Sequence, residues 1–290
     1  MVAGAVGCSS GSTMTSPTTT SRLPSDTTAI SDLGPADPPR AATSDQIRVE
    51  ALPASTTPTS SPISASSSTP VPRSIVLLYT RTAGFRHASI PAATDALRNA
   101  LDQSDVATVV SDDPHALATG LDGYSAVVFL MTTGDVVDAA GQVALEQYIH
   151  DGGGWVGVHS AADTEYEWPF YGELVGAYFA GHPEVQQATV RIEAPEHEAM
   201  TGLPLEWPRL DEWYNFQRNP RPSVHVLATV DESTYVGGTM APDHPVSWCH
   251  AVGNGIAFYT ALGHSEEAWS DPTFVAHVVG GITSVIHRVC

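Results

Sequence analysis

Four short runs of branched apolar residues, at 74–80 (SIVLLYT), 106–110, 126–131 and 155–159, alternate with segments of helical spacing. Runs without polar alternation suit strands buried on both faces. After the first, Ser89 is placed to cap a helix with Pro91 in its first turn and Ala92, Ala96 and Leu97 at helical spacing. Asp138 is placed to cap another through Val143, Leu145, Tyr148 and Ile149, ended by glycines at 152–154. Strands alternating with helices dictate an α/β fold with a parallel sheet covered on both sides, because parallel neighbours need a crossover that packs back onto the sheet. The second half is less regular. Residues 188–193, 224–230, 246–250 and 256–262 read as strands, the last two joined into a hairpin by VGNG at 252–255. Pro272 opens a terminal helix through Phe274, Val278, Val279 and Ile282. The prediction is a doubly wound, mostly parallel sheet with a C-terminal antiparallel hairpin.

The first aromatic is Tyr79, and every histidine lies at His87 or beyond. Residues 1–73, mostly Ser, Thr, Pro and Ala, cannot bury enough apolar surface to offset roughly 1–2 kcal/mol of ordering entropy per residue. A disordered stalk is expected there, followed by one domain over 74–290. Nearly all of the net charge of −20 belongs to that domain, and the chain has no Lys. Such a surface repels phosphate backbones, which argues against a nucleic-acid partner. AVGC at 5–8, followed by two serines, matches the cleavage and lipidation site of a lipoprotein signal, although too little chain precedes Cys8 for a full signal. The expectation is an extracytoplasmic protein whose signal begins upstream and whose membrane contact is a lipid anchor at Cys8; the lesser reading is cytoplasmic. Cys249 and Cys290 are too few to define a disulfide framework.

In open parallel sheets ligands bind where loops leave the carboxyl ends of the strands. The exits here carry Arg86 and His87, then Thr133, then His159 with Asp163, and finally His264. His159 closes a strand where a nucleophile elbow would lie, without a Gly-x-Ser-x-Gly pattern. Its imidazole suits a general base or a metal ligand, with Asp163 to orient it. Asp211-Glu-Trp-Tyr-Asn215 packs carboxylates, aromatics and an amide together, which suits a hydroxylated ligand. There Glu212 is a second candidate base, and Trp213 and Asn215 would hold a sugar. His87, His159, His182 and His264 are candidate ligands of a divalent metal such as zinc, assembled from separate loops. His182 and His244 each precede a proline and so take extended backbone. His87, His244 and His264, with Arg86 and Thr133, are also candidate substrate contacts. His115, His150, His197, His225, His277 and His287 read as surface or helix-end residues.

The motifs TAGFRH (82–87), TTGD (132–135), GGGWVGVHSAADT (152–164), WPFYGELVGAYFAGHP (168–183), DEWYNF (211–216) and FYTALGH (258–264) resemble the ThuA-like (trehalose utilisation) family in order and spacing. The likeness covers essentially residues 74–286. It implies a flavodoxin-like fold of the class I glutamine amidotransferase-like superfamily and a link to trehalose, related disaccharides or their oxidised forms. The amidotransferase cysteine is replaced by His159, so thiolate hydrolysis of glutamine is not expected. Ile256 departs from the family's commonly basic residue, and Leu262 precedes Gly263-His264. The resulting expectation is an enzyme acting on a sugar or keto-sugar by hydrolysis, elimination or isomerisation. The rival is a non-catalytic sugar-binding lipoprotein.

Overall fold

The computed structural model describes residues 73–290. The expected stalk and the lipid anchor at Cys8 lie outside the described residues. Among these, no helix is long and apolar enough to cross a membrane.

The first half alternates as its apolar pattern requires: β1 (Ile75–Tyr79), α1 (Ile90–Gln103), β2 (Ala107–Ser111), β3 (Ala126–Leu130), α2 (Ala139–His150) and β4 (Gly154–Val158). β3 and β4 are buried at every position, as strands covered on both faces must be. α1 buries Ile90, Ala93, Leu97 and Leu101, a single helical stripe. Asp138 caps α2 by accepting from the Gly141 amide at 2.7 Å. Ser89 precedes α1 but makes no side-chain cap; its hydroxyl donates to the His264 carbonyl at 2.7 Å instead.

The second half comprises α3 (Pro169–Val175), β5 (Phe179–Gly181), β6 (Gln186–Ile192), β7 (Glu206–Asp211), β8 (Asn215–Phe216), β9 (His225–Val230), β10 (Pro245–Val252), β11 (Gly255–Thr260) and α4 (Pro272–His287). The main sheet runs β2-β1-β3-β4-β11-β10-β9-β6-β7. Its first five strands are parallel. β10 and β11 form the hairpin, and β9, β6 and β7 extend it antiparallel. The antiparallel part is therefore four strands rather than a single added hairpin. β5 and β8 make a separate two-stranded ribbon.

The crossover from β1 to β2 runs opposite to that from β3 to β4, and right-handed crossovers in opposite directions place α1 and α2 on opposite faces. α4 packs against α1, β4 and β11. On the other face, Tyr171 of α3 meets Trp155 of β4 edge-on. β7 escaped the sequence reading because Pro208 interrupts it; proline fits there because β7 is the sheet's edge. β7 also reaches α4: Trp207 meets His277 edge-on, Arg209 pairs with Asp271, and its guanidinium lies over Trp207 and Phe274. The antiparallel half thus curls around α4 and brings Asp211 beside Gly263. His277 and His197 are buried, not surface residues. Cys249 on β10 is bridged to Cys290 beyond α4, a pairing open to an exported protein but not defined by two cysteines alone.

Candidate functional site

β4 pairs in register with β3 on one side and β11 on the other, so Leu130, Val158 and Thr260 end level. The loops that follow open on one edge. His159 leaves β4 at φ 51°, the left-handed region that is costly for a residue with a Cβ. Its Nδ1 lies 2.7 Å from the Ala261 carbonyl, which can only accept, so Nδ1 carries the proton and Nε2 presents a lone pair. A ring nitrogen fixed this way by a backbone carbonyl is the usual support of a metal-binding imidazole.

Around that lone pair stand His87 Nε2 at 3.1 Å, His264 Nδ1 at 3.4 Å and Glu212 Oε2 at 3.4 Å. Glu212 Oε2 is also 3.2 Å from His264 Nδ1. All four atoms lie within 4.8 Å of one another. A tetrahedral ion with bonds of 2.0–2.1 Å needs ligand atoms about 3.3 Å apart, close to the four separations of 3.1, 3.4, 3.4 and 3.2 Å. The electrostatics of His87 and Glu212 suit ligation as well. Burial, then the nearby His159 and His264 rings, pushes His87 down to about 3 and keeps it neutral. Burial alone would raise Glu212, but the nearby His159 and His264 rings outweigh it and hold the carboxyl below its usual range. His264 is raised by its hydrogen bond to Glu212.

Two further groups touch the cluster. The Tyr214 hydroxyl lies 3.1 Å from His159 Nε2, with the two rings 4.4 Å apart, and burial raises its pKa well above the ordinary value. His182 is displaced from the expected ligand set: its Nδ1 lies 3.1 Å from Glu212 Oε1, on the carboxylate's far side, and Glu212 takes its place in the cluster.

Asp211 ties the pieces together. Its carboxylate accepts from the amides of Gly263 at 2.9 Å, His264 at 3.1 Å and Glu212 at 2.9 Å. Gly263 sits at φ 110°, open to glycine, and a Cβ there would meet Phe274 at 2.8 Å.

Other expected site residues do different work. Asp163 does not orient His159; it accepts from the Tyr166 hydroxyl at 2.8 Å, and the Ala261 carbonyl does the orienting. Trp213 is a core residue, 1% exposed, whose indole donates to the Gln186 carbonyl, so it offers no face to a ligand. Asn215 braces the loop at Gly237 and Thr239. His244 lies under the ribbon, its Nε2 2.8 Å from the Tyr214 carbonyl and its Nδ1 2.8 Å from Glu232. Arg86 turns back onto the Thr80 carbonyl at 2.8 Å. Thr133 donates to the Phe85 carbonyl at 2.8 Å and shapes the loop before His87. The sequence reading passed over Asp211 as a hub and Phe85 as a surface. Phe85 stands among the polar residues of the 82–87 motif, and its exposure is set by packing alone.

Imidazoles and a carboxylate gathered beyond the carboxyl ends of parallel strands define an α/β protein with a polar site at one edge of its main sheet. The chain belongs to the ThuA family, described as trehalose utilisation, which matches residues 75–284. Its fold is similar to that of a ThuA-like protein from Bacteroides uniformis, at 24% identity, TM-score 0.63, 74% of this chain and 92% of that one. A ThuA-like protein from Parabacteroides merdae matches at 20% identity, TM-score 0.62, 76% of this chain and 91% of that one. A cytoplasmic protein from Salmonella typhimurium matches at 12% identity, TM-score 0.51, 73% of this chain and 98% of that one. No curated protein matches the chain.

Proposed function

We propose that this protein is a metal-dependent enzyme acting on a disaccharide or keto-sugar outside the cytoplasm. The observation that carries the reading is the convergence of His87, His159, His264 and Glu212 from four separate segments, with one ligand atom of each within 4.8 Å of the others. Three nitrogens and one carboxylate suit zinc better than calcium or magnesium, which prefer all-oxygen shells. A divalent ion there, expanding from four ligands to a fifth position, would polarise a sugar oxygen or carbonyl.

With those four side chains committed as ligands, proton transfer falls to their neighbours, not to His159 or Glu212 themselves. His182 is 40% exposed and touches the free oxygen of Glu212, so it reaches both the cluster and solvent as a base must. Tyr214, kept protonated by burial, is a fixed hydroxyl donor toward a developing negative oxygen. Hydrolysis, elimination and isomerisation of a keto-sugar all use this set of parts. The family's description supports a sugar substrate. The Cys249–Cys290 bridge supports an oxidising compartment, where such bonds persist.

The test is metal content by mass spectrometry, with turnover of disaccharides and 3-keto-sugars measured before and after EDTA. One ion per chain is expected, with turnover abolished by EDTA and by Glu212→Ala. Full turnover by an ion-free protein would sink the reading.

A further inference from the structure

Phe85 stands out at the mouth of the site. It is 68% exposed, and a phenyl ring left in water contributes little to folding. Its loop is nevertheless pinned: Thr133 donates to the Phe85 carbonyl, and the amides of Ala83 and Gly84 donate to the Thr133 carbonyl at 2.7 and 3.2 Å. The ring meets His87 edge-on with centroids 4.9 Å apart. Phe85, His87, His264, Ser265, Glu266 and Glu267 line a cleft of 250 Å³. Pockets for drug-sized ligands run to about 300–1,000 Å³, so this one has room for a single ring. No Lys or Arg lines it, and neighbouring Arg86 is turned back onto Thr80. Glu266 and Glu267 are both exposed at its lip.

We propose that this cleft is a subsite for one uncharged sugar ring, with Phe85 covering the ring's C–H face and Glu266 and Glu267 accepting hydroxyl protons. The proposal rests on reading the adjacent cluster as a sugar-acting metal site, and it adds a selectivity: phosphorylated sugars are rejected. An aromatic face packs against sugar C–H groups, and carboxylates are acceptor-only groups suited to hydroxyls. The same carboxylates repel phosphate at the lip, where no Lys or Arg offsets them.

The experiment is calorimetric titration of the zinc-loaded full chain with trehalose, maltose, sucrose and trehalose 6-phosphate, with zinc content measured on every variant. At least one neutral disaccharide should bind saturably, and the phosphate should bind at least about tenfold more weakly than trehalose. Phe85→Ala should weaken the neutral sugar about tenfold at unchanged zinc content, and Phe85→Trp should restore it. The double change Glu266→Gln, Glu267→Gln should narrow the gap between trehalose and its phosphate. Unchanged affinity in Phe85→Ala, equal binding of the phosphate, or no saturable binding of any neutral disaccharide would overturn the subsite. Sugar binding that depends on Phe85 in a chain that takes up no zinc would uphold the subsite and strike only the metal reading.

Discussion

The parallel strands and the antiparallel strands contribute to the site by different routes. β1, β4 and β11 deliver His87, His159 and His264 from loops that leave one edge, and the register of the parallel strands aligns those exits. The connections of the antiparallel half deliver Glu212, Tyr214 and His182, and no shared register aligns them. They are held by side chains instead: Asp211 grips the exit of β11, and His244 supports the Tyr214 carbonyl. A site half set by register and half by side-chain clasps should fail differently at each half.

The bridge from Cys249 to Cys290 ties β10 to the end of α4, which packs on β4 and β11. Its ends are 41 residues apart, and closing a loop of that size is worth on the order of 4 kcal/mol. Cys290→Ser should therefore lower the melting temperature by roughly 10 °C. Calorimetry would show it, and an unchanged midpoint would mean that the two halves hold together without the bridge.

His277 sits at the seam, touching Phe258 of β11 and Trp207 of β7. Burial pushes its pKa down to about 4. The folded state then binds fewer protons than the unfolded state, whose His titrates at about 6.5. The stabilisation is complete above about pH 6.5 and drains as pH falls toward 4, a loss of about 3 kcal/mol. His87 shifts in the same direction. His277→Gln should flatten the pH dependence of urea midpoints between pH 7 and 4.5; an equal slope in variant and parent would refute this.

The smallest expected effect tests the clasp itself. Asp211→Asn keeps the shape but loses the charge that draws three amides, and zinc affinity should fall roughly 10- to 100-fold. Competition against a chelator measures it. Unchanged affinity would show that the loop after β11 holds His264 unaided.

The same division governs what could be read from the sequence. Unbroken apolar runs announced β1, β3 and β4, and the glycines and prolines beside them marked the turns. The loop exits then pointed to His87, His159 and His264 before any coordinates. The antiparallel side resisted. Pro208 hid β7, and only the fold-back after β7 makes Glu212 a neighbour of His159. The four-residue step from His159 to Asp163 suggested a pair, but the intervening 3-10 turn sends Asp163 to Tyr166. Trp213 looked like a ring platform because its exposure depends on packing that composition does not reveal. Cys249 and Cys290 come together only once α4 has packed on β4 and β11 and its end meets β10.

The left-handed backbone at His159 bears on how the site meets its ligand. Because main-chain geometry and the Ala261 carbonyl fix the ring together, its direction owes little to a rotamer choice made on binding. A strained residue of this kind costs the fold roughly 1–2 kcal/mol whether or not a ligand is present. That penalty is settled when the chain folds, so the proposed capture of an ion at Nε2 would be spared the entropy of halting a swinging imidazole.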